Sequence, residues 1–130
     1  MSSSRRRSLS AAGLATLRAA AGVGHFASPA FFDAIVPPAM PGTPRFWTYA
    51  SGVAELGVAA AVAVPRTRRL GAWAAAALFV GVFPANVWMA IDWSDRSVRE
   101  QLIAYGRLPL QIPLIWWAVT VARNTPPAVR

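Results

Sequence analysis

The 130-residue chain has no cysteine, no lysine, one histidine and five acidic residues. Without cysteine there are no disulfides, thiolate metal sites or dithiol redox chemistry. The single histidine, His25, needs carboxylate help to hold a metal, and Asp33 and Asp92 fall in loops at no useful spacing, so no metal site is read. Bis-histidine haem ligation within one chain is excluded on the same count. No phosphate-cradling glycine loop and no nucleophile–base motif is present, which points away from an enzyme acting on its own. Charge is also scarce. Charged residues make up 14% of the chain and hydrophobic ones 55%, against a usual charged share of about 25% in soluble domains. A domain this small cannot cover its surface with so few charges unless much of that surface faces lipid.

The positive side-chain charge is all arginine, and the chain carries a net +8. The arginines do not form a nucleic-acid patch. They cluster at the edges of apolar segments, where the inner leaflet of a membrane favours positive charge. Four segments have the character of membrane spans: residues 9–28, 46–64, 70–91 and 108–122. Spanning takes ~20 helical residues. The fourth segment, LPLQIPLIWWAVTVA, reaches only ~22 Å at ~1.5 Å per residue and needs local thinning or support. Residues 1–8 read as a basic cytoplasmic tail, 9–122 as one transmembrane domain and 123–130 as a frayed tail. Pro65 and Arg66, Arg68 and Arg69 close the second segment and leave a tight turn into the third. Residues 29–45 carry five prolines and predict an interfacial half-helix followed by a rigid loop. Residues 92–107 predict a separate surface helix starting near Ser94.

The expected fold is therefore all-α: an integral membrane four-helix bundle, multi-pass in the bacterial inner membrane, with both termini inside. That orientation puts Arg5, Arg6, Arg7, Arg66, Arg68, Arg69, Arg123 and Arg130 on the cytoplasmic side. It leaves Arg45, Arg96, Arg99 and Arg107 outside, with Trp47, Trp88 and Trp93 near the outer interface. The run SRRRSLS also has the look of a twin-arginine export signal, with FASPA as a loose cleavage pattern. Arg18 interrupts the apolar stretch too early for that, so the segment is read as retained.

Five polar residues lie inside the spans: Arg18, His25, Glu55, Asn86 and Gln111. An ionisable group at mid-helix costs about 2.5–3.5 kcal/mol on insertion scales, so each should face inward and find a partner. Arg18 lies nine residues after residue 9, and Glu55 nine residues before residue 64. In antiparallel helices both sit ~13 Å from the same side. Glu55, in SGVAELGVAAAVAV, is thus read as the counter-charge of Arg18, either as a functional pair or as an architectural one that fixes helix register. His25, Asn86 and Gln111 fall nearer the outer end, where Pro84 and Pro113 free backbone carbonyls. They are read as an outward-opening polar pocket, or as interhelical hydrogen-bonding groups.

An arginine followed by GVGHF in the first segment, IVPPAMP in the first loop, SGVAELGVAA, FPANVWMA and RLPLQIPLIWWA follow one another along residues 14–119. Together they resemble the DoxX-like family of small four-helix bacterial membrane proteins. Each motif alone is weak; their order makes the match specific. By position, the resemblance implies a recurring polar set of Arg18, His25, Glu55, Asn86, Arg107 and Gln111, adding Arg107 at the pocket mouth. It implies an accessory or quinone-interacting subunit of a membrane redox assembly, with a quinone carbonyl accepting from His25 or Gln111. Thiol-based roles would need cysteine and are out of reach. The alternative is a structural partner that stabilises another membrane protein and binds no small molecule. The partners expected are the lipid bilayer and a protein partner or a second copy, with no nucleic acid. A transporter is disfavoured because four short helices leave little room for alternating access.

Overall fold

The computed structural model describes residues 1–129; Arg130 lies outside the described residues. It is all-helical, with no strand among the described residues. In chain order the helices are α1 (Ser3–Ala27), α2 (Pro29–Asp33), α3 (Pro44–Ala63), α4 (Arg68–Gly81), α5 (Phe83–Asp92) and α6 (Val98–Asn124).

The helix starts follow local chemistry. Ser2 caps α1 by accepting from the Arg5 N–H at 3.3 Å, and Thr43 caps α3 by accepting from Phe46 N–H at 3.3 Å, with Pro44 in the first turn. Each cap satisfies a backbone donor that the helix cannot. Ser97 does the same for α6 through the Glu100 N–H, and Glu100 supplies the first-turn acid that the helix dipole favours. The turn from α3 into α4 is pinned from below. Arg68 Nε donates to Val62 O at 2.9 Å, Arg68 Nη2 to Ala63 O at 3.0 Å and Thr67 Oγ1 to Ala61 O at 2.7 Å. These are carbonyls that the end of α3 leaves open.

Among the described residues three stretches are long and apolar enough to cross a membrane: Pro44–Ala63, the α4–α5 pair over Arg68–Asp92, and Val98–Asn124. At 25 residues α1 is long enough, but Arg5, Arg6, Arg7 and Arg18 dilute its apolar character. Much of the apolar side-chain surface points outward, including Val53, Leu70, Ile91, Leu102, Ile112 and Trp116.

Several boundaries differ from the sequence expectation. The surface helix over 92–107 and the short span over 108–122 are one helix, α6, of 27 residues with Pro109 and Pro113 inside it. At ~1.5 Å per residue it reaches ~40 Å, and the shortfall of the fourth span disappears. The start lies at Ser97 rather than Ser94. The third segment is interrupted at Val82, where α5 begins with Pro84 in its first turn; proline cannot donate to the preceding turn. The basic tail over 1–8 is helical from Ser3, and α6 runs on to Asn124 inside the tail expected to fray.

Helix α1 packs along α3, α3 on α4, α4 on α6, and α6 returns to α1, while α5 packs chiefly against α6 and α2 against α3. Two apolar clusters result. The first joins Ala11 and Leu14, Val62, Ala72 to Phe79, and Ala118 to Ala122. The second joins Ile35, Met89, Trp93 and Ala104, with Phe32 of α2 packed against it. Small residues set the close approaches. A Cβ on Gly71 would come within 2.7 Å of the backbone of Ala61 and Val62, so only glycine lets α4 lie that close to α3. Gly22 and Gly52 face Leu56 and the His25–Phe26 pair across the α1–α3 contact.

Candidate functional site

Among the described residues five polar or charged side chains are buried: Arg18, Thr48, Glu55, Asn86 and Gln111. By chain position all five fall between the two apolar clusters. Arg18 and Glu55 occupy the facing stripes of α1 and α3. Arg18 Nη1 donates to Glu55 Oε1 at 2.7 Å and to Oε2 at 2.6 Å, with both residues at most 5% exposed. The Arg18 guanidinium carbon also lies 3.4 Å from the centre of the Phe79 ring on α4. A desolvated cation over an aromatic face gains more than an exposed one, on the order of 2 kcal/mol. The backbone of Phe79 then carries the connection onward, because its carbonyl, in the last turn of α4, accepts from Gln111 Nε2 of α6 at 2.7 Å. One layer thus ties α3 to α1, α1 to α4, and α4 to α6.

Not every buried donor in and beside the layer is satisfied. Arg18 Nε and Nη2 and Trp93 Nε1 are buried and have no acceptor. Leaving a buried donor unpaired costs about 1–3 kcal/mol, and more for a charged one. All three orphaned atoms are donors, so they call for acceptor oxygens.

The other expected pocket residues are placed as follows. His25 is half-buried. Its ring stacks on Phe32 at 3.8 Å between centroids, and Nδ1 lies 2.6 Å from Ala21 O. That contact assigns the proton to Nδ1 and leaves Nε2 as an acceptor in the neutral ring. Asn86 is buried on α5, on the stripe that carries Phe79 seven residues before it and Trp93 seven after. Arg107 is half-buried on α6 and forms no ion pair among the described residues. Two surface clefts are lined by other residues. One, open and of ≈540 Å³, runs along Thr43, Arg45, Phe46, Tyr49 and Val53; the other, of ≈20 Å³, lies between Arg7, Ser10, Val121, Asn124 and Thr125.

One group was missed by sequence reasoning. Asp33, at the end of α2, accepts from Thr48 Oγ1 at 2.6 Å and from Arg45 Nε at 2.8 Å, which clips α2 onto the start of α3. The Thr48 hydrogen bond is the largest influence and holds the Asp33 carboxyl below its ordinary value; desolvation, the next largest, opposes it, and the hydrogen bond and charge of Arg45 add to the lowering. On its other side α2 presents Phe32 to His25 and Phe31 edge-on to Trp93 at 6.0 Å. The clip therefore seats α2 over the end of the layer where the Trp93 donor is orphaned. A threonine and an arginine 15 and 12 residues beyond an aspartate carry no local pattern, and no sequence signal pointed to them.

An all-helical chain with three helices long and apolar enough to cross a membrane, knotted together by a buried ion pair, is the class that these observations define. The family model described as Domain of unknown function (DUF8561) matches residues 14–122, most of the chain, and the chain belongs to that family. No curated protein and no solved structure matches it.

Proposed function

We propose that the chain is a DoxX-like four-helix membrane protein, with α1, α3, the α4–α5 pair and α6 as its spans and both termini on the cytoplasmic side of a bacterial inner membrane. In this reading it serves as a quinone-interacting accessory subunit of a membrane redox assembly. The observation that carries the ligand is the set of buried donors without acceptors, Arg18 Nε, Arg18 Nη2 and Trp93 Nε1. A quinone head group is apolar in its ring and presents two carbonyl acceptors, which is the complement such donors need. His25 and Gln111, the donors first expected, are less suited. Gln111 already donates to Phe79 O, and His25 has its proton directed at Ala21 O. His25 Nε2 is instead placed by its tautomer to accept from a hydroxyl, as the reduced quinol would offer. Because Phe32, Ile35 and Trp93 pack together at the α2 end, admission of a head group requires α2 to move.

The test is a titration of the purified full chain with a short-tailed quinone, read by tryptophan quenching and thermal shift. Saturable quenching that weakens in Trp93→Phe and persists in Gln111→Leu is the expected result. No quenching and no thermal shift, together with a stoichiometric protein co-purifying from the membrane, overturns the reading in favour of a purely structural partner.

A further inference from the structure

Charge is segregated along the helices in a way that bundle formation alone does not require. The buried pair Arg18–Glu55 is neutral. At the end that carries α2 and the α5–α6 turn, Arg45, Arg96 and Arg99 face Asp33, Asp92, Asp95 and Glu100, and the half-buried Arg107, nine residues into α6, balances the remaining acid. Two of those arginines are paired directly, Arg45 with Asp33 at 2.8 Å and Arg96 with Glu100 at 3.3 Å. Among the described residues the excess positive charge therefore resides at the opposite end, on Arg5, Arg6, Arg7, Arg66, Arg68, Arg69 and Arg123.

That end is a single surface. Trp117 Nε1 of α6 donates to Ser10 Oγ of α1 at 2.9 Å, and Arg68 of α4 caps the carbonyls of Val62 and Ala63 on α3. Arg7 and Ser10 of α1 line one small cleft with Val121 and Asn124 of α6, and α4 packs on both α3 and α6, so the start of α1, the turn from α3 to α4 and the last turn of α6 share one end. Arg68 is occupied by its capping bonds. Arg5, Arg6, Arg7, Arg66, Arg69 and Arg123 have no acidic partner among the described residues. The first turns of α1 and α4 hold no acid either, so arginines stand where the helix dipoles already favour negative charge. The chain supplies none of the anions that this surface calls for.

We infer that the arginine-rich end is a binding surface for anionic phospholipid, with the lipid phosphates as its missing counter-charges. Charge complementarity selects an anionic partner, and the flanking side chains select a lipid over a nucleic acid. Leu9, Val64, Leu70, Trp73 and Trp116 lie next to or within two turns of the arginine-bearing helix ends and are all exposed. Phosphates above and acyl chains below fit that pattern; a nucleic acid would leave those apolar side chains in water. Guanidinium binds phosphate through parallel N–H···O bonds, which makes an all-arginine surface more selective than a lysine one. The inference requires a membrane and does not depend on quinone binding.

The experiment reconstitutes the full chain into nanodiscs of phosphatidylcholine with or without phosphatidylglycerol, then measures lipid retained after mild detergent release by native mass spectrometry, with the thermal midpoint in parallel. Phosphatidylglycerol should be retained preferentially, and the preference should fall as sodium chloride is raised. Arg66→Gln with Arg69→Gln should lower it about five-fold per arginine removed, whereas Arg96→Gln with Arg99→Gln should leave it unchanged. Salt dependence in the unmodified chain gives an answer even where a variant fails to insert. Equal retention of the two lipids, equal loss from both double variants, or displacement of phosphatidylglycerol by short duplex DNA overturns the inference.

Discussion

The two halves of the molecule are built on opposite plans. In the half that holds Ala11, Val62, Ala72, Ala75 and Ala118, alanine and glycine bring four helices into contact around an apolar centre. In the other half α5 packs chiefly on α6, and Ile35, just beyond the short α2, joins Met89, Trp93 and Ala104 in the core, with Phe32 of α2 packed against them. The first half has small side chains and few alternatives. The second relies on aromatic stacking, two interrupted or proline-containing helices, and one carboxylate that clips α2 down. Between them lies the polar layer. The contrast separates a scaffold fixed by backbone proximity from a region whose closure depends on a few side-chain contacts, and it is in that second region that the orphaned Trp93 donor lies.

The contrast can be broken at graded strength. Glu55→Ala should cause the largest loss, about 3–5 kcal/mol, because it strands the Arg18 charge between the helices; unfolding in mild detergent, followed by circular dichroism, reads it. Gly71→Ala should cost about 1–3 kcal/mol, since its new methyl meets the α3 backbone, while Gly57→Ala, where a Cβ meets nothing within 4 Å, should not destabilise. Equal effects at the two glycines would mean that the alanine-rich half is not closely packed. Gln111→Leu should cost less, about 0.6 kcal/mol, the typical worth of a hydrogen bond between membrane helices.

The smallest effect concerns pH. Asp33 is held below its ordinary value of 3.8, so its contribution is present in full above that value and is lost only as pH falls through the lower, folded one. Tryptophan emission, sensitive to the contact of Phe31 with Trp93, should therefore be flat from about pH 8 to 5 and change only below about pH 4. A transition between pH 7 and 5 would show that another group holds α2.

Much of the layer was legible because depth in a helix can be counted. The equal heights of Arg18 and Glu55 follow from rise per residue alone, and the structure brings the two within 2.6 Å. Helix α6 was misread for a physical reason. Pro109 and Pro113, with charged residues upstream, look like the edge of a span, yet a membrane helix tolerates interior proline where neighbouring groups satisfy the freed backbone. The break at Val82 was hidden in a continuous apolar run; Pro84 pointed to a freed carbonyl one turn earlier, at Val80, whereas Gln111 bonds the neighbouring Phe79 carbonyl. The role of Asp33 was not legible, because its partners meet it only after the proline-rich loop has folded back.

The most direct test of the account is a double-mutant cycle on Arg18→Leu and Glu55→Leu, measured as unfolding free energy in one detergent. If the pair is the joint of the helices, each single change costs several kcal/mol and the double recovers most of it, because two apolar side chains leave no stranded charge (about 3–5 kcal/mol per single variant). Additive losses in the double variant would contradict the account and mean that the two side chains act independently.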